Sequence, residues 1–397
     1  MNILKRIGFI SIEFIILLVL YVSGVTLSCA IRSDRIDSNG LSYFEAIAEE
    51  GDYPIYYFQD EAVKLDNYTD RIMIEKSLIN DKQAIVAGQY MGGYYRYWHG
   101  YTIFLKSLLY IFNVFQLRKV LAISLGIVMI LGLLLLYKRF GWAASLAFGA
   151  TLIEYYTFNT AGSLQFFSCT LLMGAAVILL CLIEHKNNDT FLYLLFFALG
   201  SIINYVDLLT FPLITLTIPL LIVILYDQKE GKALGKSLAN SILLSITWAA
   251  GYALTWISKW IIAGITLPGD IFGDVFSTAL FRMGGSEEYQ IDRVQVLISN
   301  INHPYILKHF TFLLIVLLIA LVAVVLTRKE ERKKLLTLIP VAVVMIYPYV
   351  WYEFMCGHSC IHHFFTYRAQ MGTSFGLYFC ILFCISKLIK VNKSRNK

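Results

Sequence analysis

GFISIEFIILLVLYVSGVTLSCA, residues 8–30, is a continuous apolar run broken by a single acid, Glu13. A hydrocarbon core about 30 Å thick takes about 20 such residues to cross as a helix, so the run reads as a membrane span. It is too long for the apolar core of a cleaved leader, and Lys5 and Arg6 anchor its start on the cytoplasmic side. The same reading repeats along the chain. Apolar stretches at roughly 120–137, 142–158, 166–184, 190–205, 208–226, 237–263, 308–327, 335–352 and 369–389 bring the expected total to about ten. Lys138 and Arg139, then His185 and Lys186, then Lys229, Lys232 and Lys236, then the basic groups in 328–334 and 387–397, all fall on one side. That bias predicts a multi-pass protein of the plasma membrane with both termini cytoplasmic.

Composition agrees. Of 397 residues 58% are hydrophobic and only 15% charged, against about a quarter in soluble domains. Lipid-exposed backbone must satisfy its own hydrogen bonds, so the expected class is an all-α polytopic membrane protein forming one membrane domain. The net charge of +6 is not gathered into a patch, which argues against nucleic acid as a partner. The seven cysteines are an odd number, and Cys169, Cys181, Cys380 and Cys384 lie in apolar runs, so no disulfide framework is implied.

Residues 31–118 hold no long apolar run but carry amphipathic pieces such as LSYFEAIAEE (41–50), and predict a small cap on the external face. Residues 101–118 read as one interfacial helix leading into the second span. Within the segment, DNYTD (66–70) sets Asp66 and Asp70 four apart. On a helix both would share one face, within reach of one hydroxyl or one divalent cation; the alternative is that Asp66 caps the helix and Asp70 faces water. Asp34 and Asp37, just past the first span, are rivals for a catalytic role, and Arg96 and His99 follow in YYRYWHGY.

Three further places gather polar groups on the same face. NYVDLLTFPL (204–213) sets Asp207 at a span boundary, where an acid is costly without a partner or a wet cavity. FRMGGSEE (281–288) offers Arg282, and Lys259 between Trp256 and Trp260 reads as an interfacial anchor. HSCIHHFFTYR (358–368) brings His358, His362 and Arg368, suited to a phosphate because the guanidinium supplies a two-pronged donor. Cys356, Cys360, His358 and His362 have zinc-like spacing but crowd one short segment, and no metal site is assigned to them. Asp66 and Asp70 offer oxygen ligands of the kind Mg²⁺ or Mn²⁺ takes, but two carboxylates are too few to assign a cofactor.

LDNYTDR (65–71), YWHGYTIFLKSLLYIF (97–112) with RKVLAISLGI after it, NYVDLLTFPL and HSCIHHFFTYR give a layout that resembles the GT-C superfamily of integral membrane glycosyltransferases, closest to its mannosyltransferase and aminoarabinose-transferase branch. The resemblance implies transfer of a hexose or pentose, with inversion, from a polyprenyl-phosphate carrier to a cell-envelope glycan, lipid or protein on the extracytoplasmic side. It also implies that a first-loop acid is the general base, which leaves Asp66, Asp70, Asp34 and Asp37 in contention. Arg96, His99, Arg282, His358, His362 and Arg368 would contact the substrate and its departing phosphate, and Asp207 would orient the acceptor. The rival reading from another class is a transporter or flippase of lipid-linked saccharides, which predicts broken helices and ionisable groups near the bilayer midplane.

Overall fold

The computed structural model describes residues 3–56, 60–183, 189–285, 290–328, 332 and 334–395. His185, Lys186, Lys329, Lys333 and Lys397, expected to mark one face, lie outside the described residues, as do Glu287 and Glu288 of FRMGGSEE. Every regular element among the described residues is helical. In chain order the α-helices are α1 (Ile3–Ala30), α2 (Asp34–Glu50), α3 (Asn67–Ser77), α4 (Ala84–Tyr90), α5 (Tyr101–Ile111), α6 (Val114–Phe140), α7 (Trp142–Glu154), α8 (Leu164–Leu182), α9 (Asp189–Val206) and α10 (Ile214–Lys229). They continue as α11 (Leu234–Thr266), α12 (Ile271–Gly284), α13 (Arg293–Ile301), α14 (Tyr305–Leu326), α15 (Ile339–Met345), α16 (Tyr347–Phe354), α17 (Cys356–Ile361), α18 (His363–Thr366) and α19 (Met371–Arg395).

Among the described residues eight segments are helical, long and apolar enough to cross a membrane. Two more of the expected spans fold as shorter helices, α7 with 13 residues and α10 with 16. α10 is apolar all round and buried from Ile214 to Asp227, which makes it the centre of the bundle. α1, α6 and α14 instead turn large apolar side chains outward, among them Ile12, Ile127 and Phe312. In water that surface would be a liability; against lipid tails it is the expected exterior.

α9 and α11 meet at backbone distance. A Cβ built on Gly200 would lie 2.0 Å from the Trp248 carbonyl oxygen, and one on Gly251 would lie 2.2 Å from that of Phe197. Small residues are what permit such an approach between membrane helices.

The expected single helix over 101–118 is two. Asn113 accepts from the Gln116 N–H and the Gln116 side chain accepts from the Asn113 N–H, a capping box that ends α5 and starts α6. Lys259, read as an interfacial anchor, is buried instead, and so is Lys106. The Lys106 ammonium donates to the Ser28, Ile31 and Ile79 carbonyls at 2.5, 3.0 and 2.8 Å. Lys259 donates to the Gly88 and Gln89 carbonyls and the Gln89 side chain at 3.3, 2.9 and 2.9 Å. Each plugs the carbonyl-rich C-terminal end of a helix, where the macrodipole favours a cation. These bonds tie α5 to the ends of α1 and α3, and α11 to the end of α4.

Candidate functional site

The turn YYRYWHGY (94–101) is clamped onto α11. Trp98 Nε1 donates to the Thr255 carbonyl at 2.7 Å, and Trp256 and Trp260 donate to the Arg96 carbonyl at 3.0 and 3.2 Å. Gly100 N–H donates to the Tyr205 carbonyl at 2.8 Å, and its Cβ position falls 2.2 Å from the Tyr205 ring, so no larger residue fits. His99, buried and left-handed at φ 55°, holds the turn from within. Its Nε2 is 2.7 Å from the Tyr94 carbonyl, which can only accept, so Nε2 carries the proton and Nδ1 accepts from the Tyr101 hydroxyl at 2.8 Å. Burial pushes the His99 pKa down to about 3.

The imidazole is therefore saturated and neutral, and it serves as a brace instead of a phosphate contact. Because its pKa is depressed on folding, its stabilising contribution is present above about pH 6.5 and is lost as pH falls towards 3. At pH 5 that loss is about 2 kcal/mol. His99→Asn keeps a residue that tolerates positive φ and removes the titration, so the drop in melting temperature between pH 7 and pH 5 is expected to be smaller than in the parent. An unchanged drop would clear His99 of that role.

The turn delivers Arg96 and Tyr97 to a cavity of about 370 Å³. One wall is a stripe on α11 at four-residue spacing: Trp248, Tyr252, Trp256 and Trp260. Neighbouring rings along it lie 5.2, 5.9 and 5.3 Å apart, and at 1.5 Å per residue the stripe runs about 18 Å. Ile257 and Phe354, exposed on the apolar flank, also line the cavity. Its cationic groups are Arg96 and Arg282. Arg96 pairs with Asp274 at 3.1 Å. Arg282 instead donates to His358 Nδ1 at 2.5 Å, and burial together with the neighbouring His362 and Arg282 holds His358 well below its ordinary pKa. Among the described residues no carboxylate forms an ion pair with Arg282.

His362 lies over Phe365 and 4.7 Å from the His358 ring, and burial lowers its pKa to about 4. Arg368 is 1% exposed and caged by Phe166, Tyr367 and Phe211, with ring centroids 4.9, 4.8 and 5.8 Å away. One guanidinium nitrogen donates to the Ala62 carbonyl at 2.9 Å; Nε and Nη1 have no hydrogen-bond partner. Two donors of a buried charge are thus left open, and a guanidinium in that state is chemically suited to an anion.

The candidate acids divide differently from the sequence reading. Asp66 caps α3, accepting from the Thr69 N–H and hydroxyl at 2.9 and 2.8 Å, and burial raises its pKa. Asp70 does not face water. It is fully buried and accepts from Ser163 Oγ, Leu164 N–H and Gln165 N–H at 2.8, 2.8 and 3.1 Å, at the start of α8. Burial pushes its carboxyl up to about 7 against the pull of those donors. The two carboxylates thus satisfy two separate helix ends instead of sharing a hydroxyl or a Mg²⁺ or Mn²⁺ ion. Asp34 and Asp37 line a separate open groove on α2 with Ser38, Ser42 and Glu45. Asp207 is buried, accepts from the Thr210 N–H at 2.7 Å and from its hydroxyl, and is raised by burial to about 6.

Sequence reasoning missed the aromatic stripe, whose four-residue spacing from 248 to 260 was visible, and Asp274, which becomes identifiable only through its contact with Arg96. The zinc-like set at 356–362 is not assembled, because Cys356 Sγ donates to the Met283 carbonyl at 2.7 Å and His358 faces a guanidinium. Comparison with protein-family models, with curated proteins and with solved structures finds no match for this chain.

Proposed function

We propose that the chain is a membrane glycosyltransferase that takes its sugar from a polyprenyl-phosphate carrier, as its resemblance to the GT-C superfamily implies. In this reading the bundle has about ten spans, both termini are cytoplasmic, and α2 to α5 form the external cap. The observation that carries it is the α11 cavity, an aromatic-walled groove about 18 Å long with Arg96 and Arg282 among its lining residues. The apolar wall suits an isoprenoid chain, and the guanidinium pair suits its phosphate. Among the described residues Arg282 meets the neutral His358 imidazole and no carboxylate, which leaves its charge for a substrate.

The transfer balances without a redox partner. The acceptor hydroxyl oxygen forms a bond to the anomeric carbon, the bond from that carbon to the phosphate oxygen breaks, and polyprenyl phosphate leaves with the electron pair. The hydroxyl proton passes to a carboxylate, which the resemblance places among the first-loop acids. The envelope acceptor approaches from the capped end, and Arg368 is a second anion contact.

The test is release of polyprenyl phosphate by the purified protein in lipid, supplied with a panel of polyprenyl-phosphate sugars and an envelope glycan extract. Arg282→Gln is expected to lower kcat/KM for the donor by roughly tenfold or more, since hydrogen bonds to charged groups contribute about 1.5–3 kcal/mol. Full activity in that variant would remove the cavity from the donor path. Transbilayer movement of a labelled carrier without release would favour the flippase.

A further inference from the structure

Glu61, His303 and His363 come from three separate stretches of the chain and converge beside Tyr367, the residue preceding Arg368. Their candidate ligand atoms all lie within 4.8 Å of one another. His303 Nε2 and His363 Nδ1 are 2.8 Å apart, with the two rings stacked at 5.1 Å and 12°. The Tyr367 ring lies 5.1 Å from that of His303 and buttresses the pair. Glu61 is 54% exposed in its side chain, which opens the cluster to solvent on one side. Its present partner is a cation, Lys64, at 3.0 Å.

We infer that Glu61, His303 and His363 form a site for a divalent transition-metal ion of the Zn²⁺ or Co²⁺ type. Two imidazoles and one carboxylate match the ligand preference of such ions, whereas Mg²⁺ and Ca²⁺ favour oxygen-only shells. Zn–N bonds of about 2.0–2.1 Å in a tetrahedral shell place two ligating nitrogens about 3.3 Å apart, so a shift of about half an ångström from the present 2.8 Å admits the ion. Three protein ligands leave a further position for water or a substrate oxygen. Lys64 occupies the carboxylate in the ion's place, so it competes with the metal. The site fastens the turn at residue 61 to the turn before α14 and to α18, next to the Arg368 cage. It stands independently of the transferase reading.

The test is titration of the chelator-stripped full chain in detergent with Co²⁺, followed by the visible absorption of the bound ion and by calorimetry. One ion per chain is expected, displaced by Zn²⁺ and unaffected by excess Mg²⁺. His303→Ala and His363→Ala are expected to abolish the signal, and Glu61→Gln to weaken binding on the order of tenfold or more. Lys64→Ala should tighten it several-fold, a result that a merely structural pair of histidines would not give. His309→Ala, on the exposed side of α14, should leave it unchanged. Glu61→Gln and Lys64→Ala alter partly exposed side chains, so the proposal stays testable even if the histidine variants fail to fold. No saturable Co²⁺ binding by the parent chain, binding that survives loss of both histidines, or displacement by Mg²⁺ would overturn it.

Discussion

Asp70→Ala is expected to lower the stability of the folded chain by about 3 kcal/mol or more, because it strands three buried donors that each cost about 1–3 kcal/mol when unpaired. Those donors are Ser163 Oγ and the Leu164 and Gln165 N–H groups. They stand at the N-terminus of α8, where free N–H groups and the macrodipole both call for an anion. Asp70 supplies it from α3, so one carboxylate joins the 31–113 segment to the bundle. Asp70→Asn keeps an acceptor oxygen but turns an N–H₂ towards a donor, and should fall between the parent and Asp70→Ala. The measurement is the temperature at which buried thiols, such as Cys169 and Cys181, begin to react with a fluorogenic maleimide in detergent. If both Asp70 variants melt with the parent while losing transfer, the carboxylate is chemical and not structural.

The same case shows where sequence reasoning stops. The N-cap signal at Asp66 was readable, and Asp70 lies in the first turn of the helix that Asp66 caps. The partner of Asp70 lies more than 90 residues downstream at the start of α8, and no local pattern announces it. An acid that caps a distant helix looks like an acid at a surface until the helix is in place. Lys259 misleads for the same reason. Flanking tryptophans mark a lysine as an interfacial anchor, but carbonyls at the end of α4 hold the ammonium inside.

The fold itself was more legible, since span length and hydropathy depend only on local composition. Of the ten or so expected spans, eight are long apolar helices among the described residues and two fold as shorter ones. The break at residues 112–113 escaped because apolar periodicity continues through it, although Asn113 and Gln116 already carried the capping-box spacing. Of the candidate site residues, Arg96 and Arg282 converge on one cavity with His358 against Arg282, whereas Asp34 and Asp37 line another groove. Charge type was visible in sequence; which charges lack an acid partner was not.

The crossing of α9 and α11 sets the second large effect. Gly200→Ala places a Cβ 2.0 Å from the Trp248 carbonyl oxygen and 2.9 Å from its carbon, both backbone atoms that cannot rotate away. The helices must separate. Overpacking costs about 1–3 kcal/mol in ordinary cores, and a clash with backbone belongs at or beyond the top of that range. Separation would also break the Ser201 to Thr255 hydrogen bond at 2.7 Å and carry the aromatic stripe of α11 away from Tyr97. Donor affinity is therefore expected to fall with stability. The same substitution has the opposite sign elsewhere: Gly8 in α1 and Gly235 in α11 have no neighbouring atom within 4 Å of the new methyl, and helix propensity favours Ala there by up to about 1 kcal/mol. Melting curves of Gly200→Ala, Gly8→Ala and Gly235→Ala measured together test the point. A Gly200→Ala chain as stable as the other two would mean that α9 and α11 do not touch at their backbones, and the wall of the cavity would have to be redrawn.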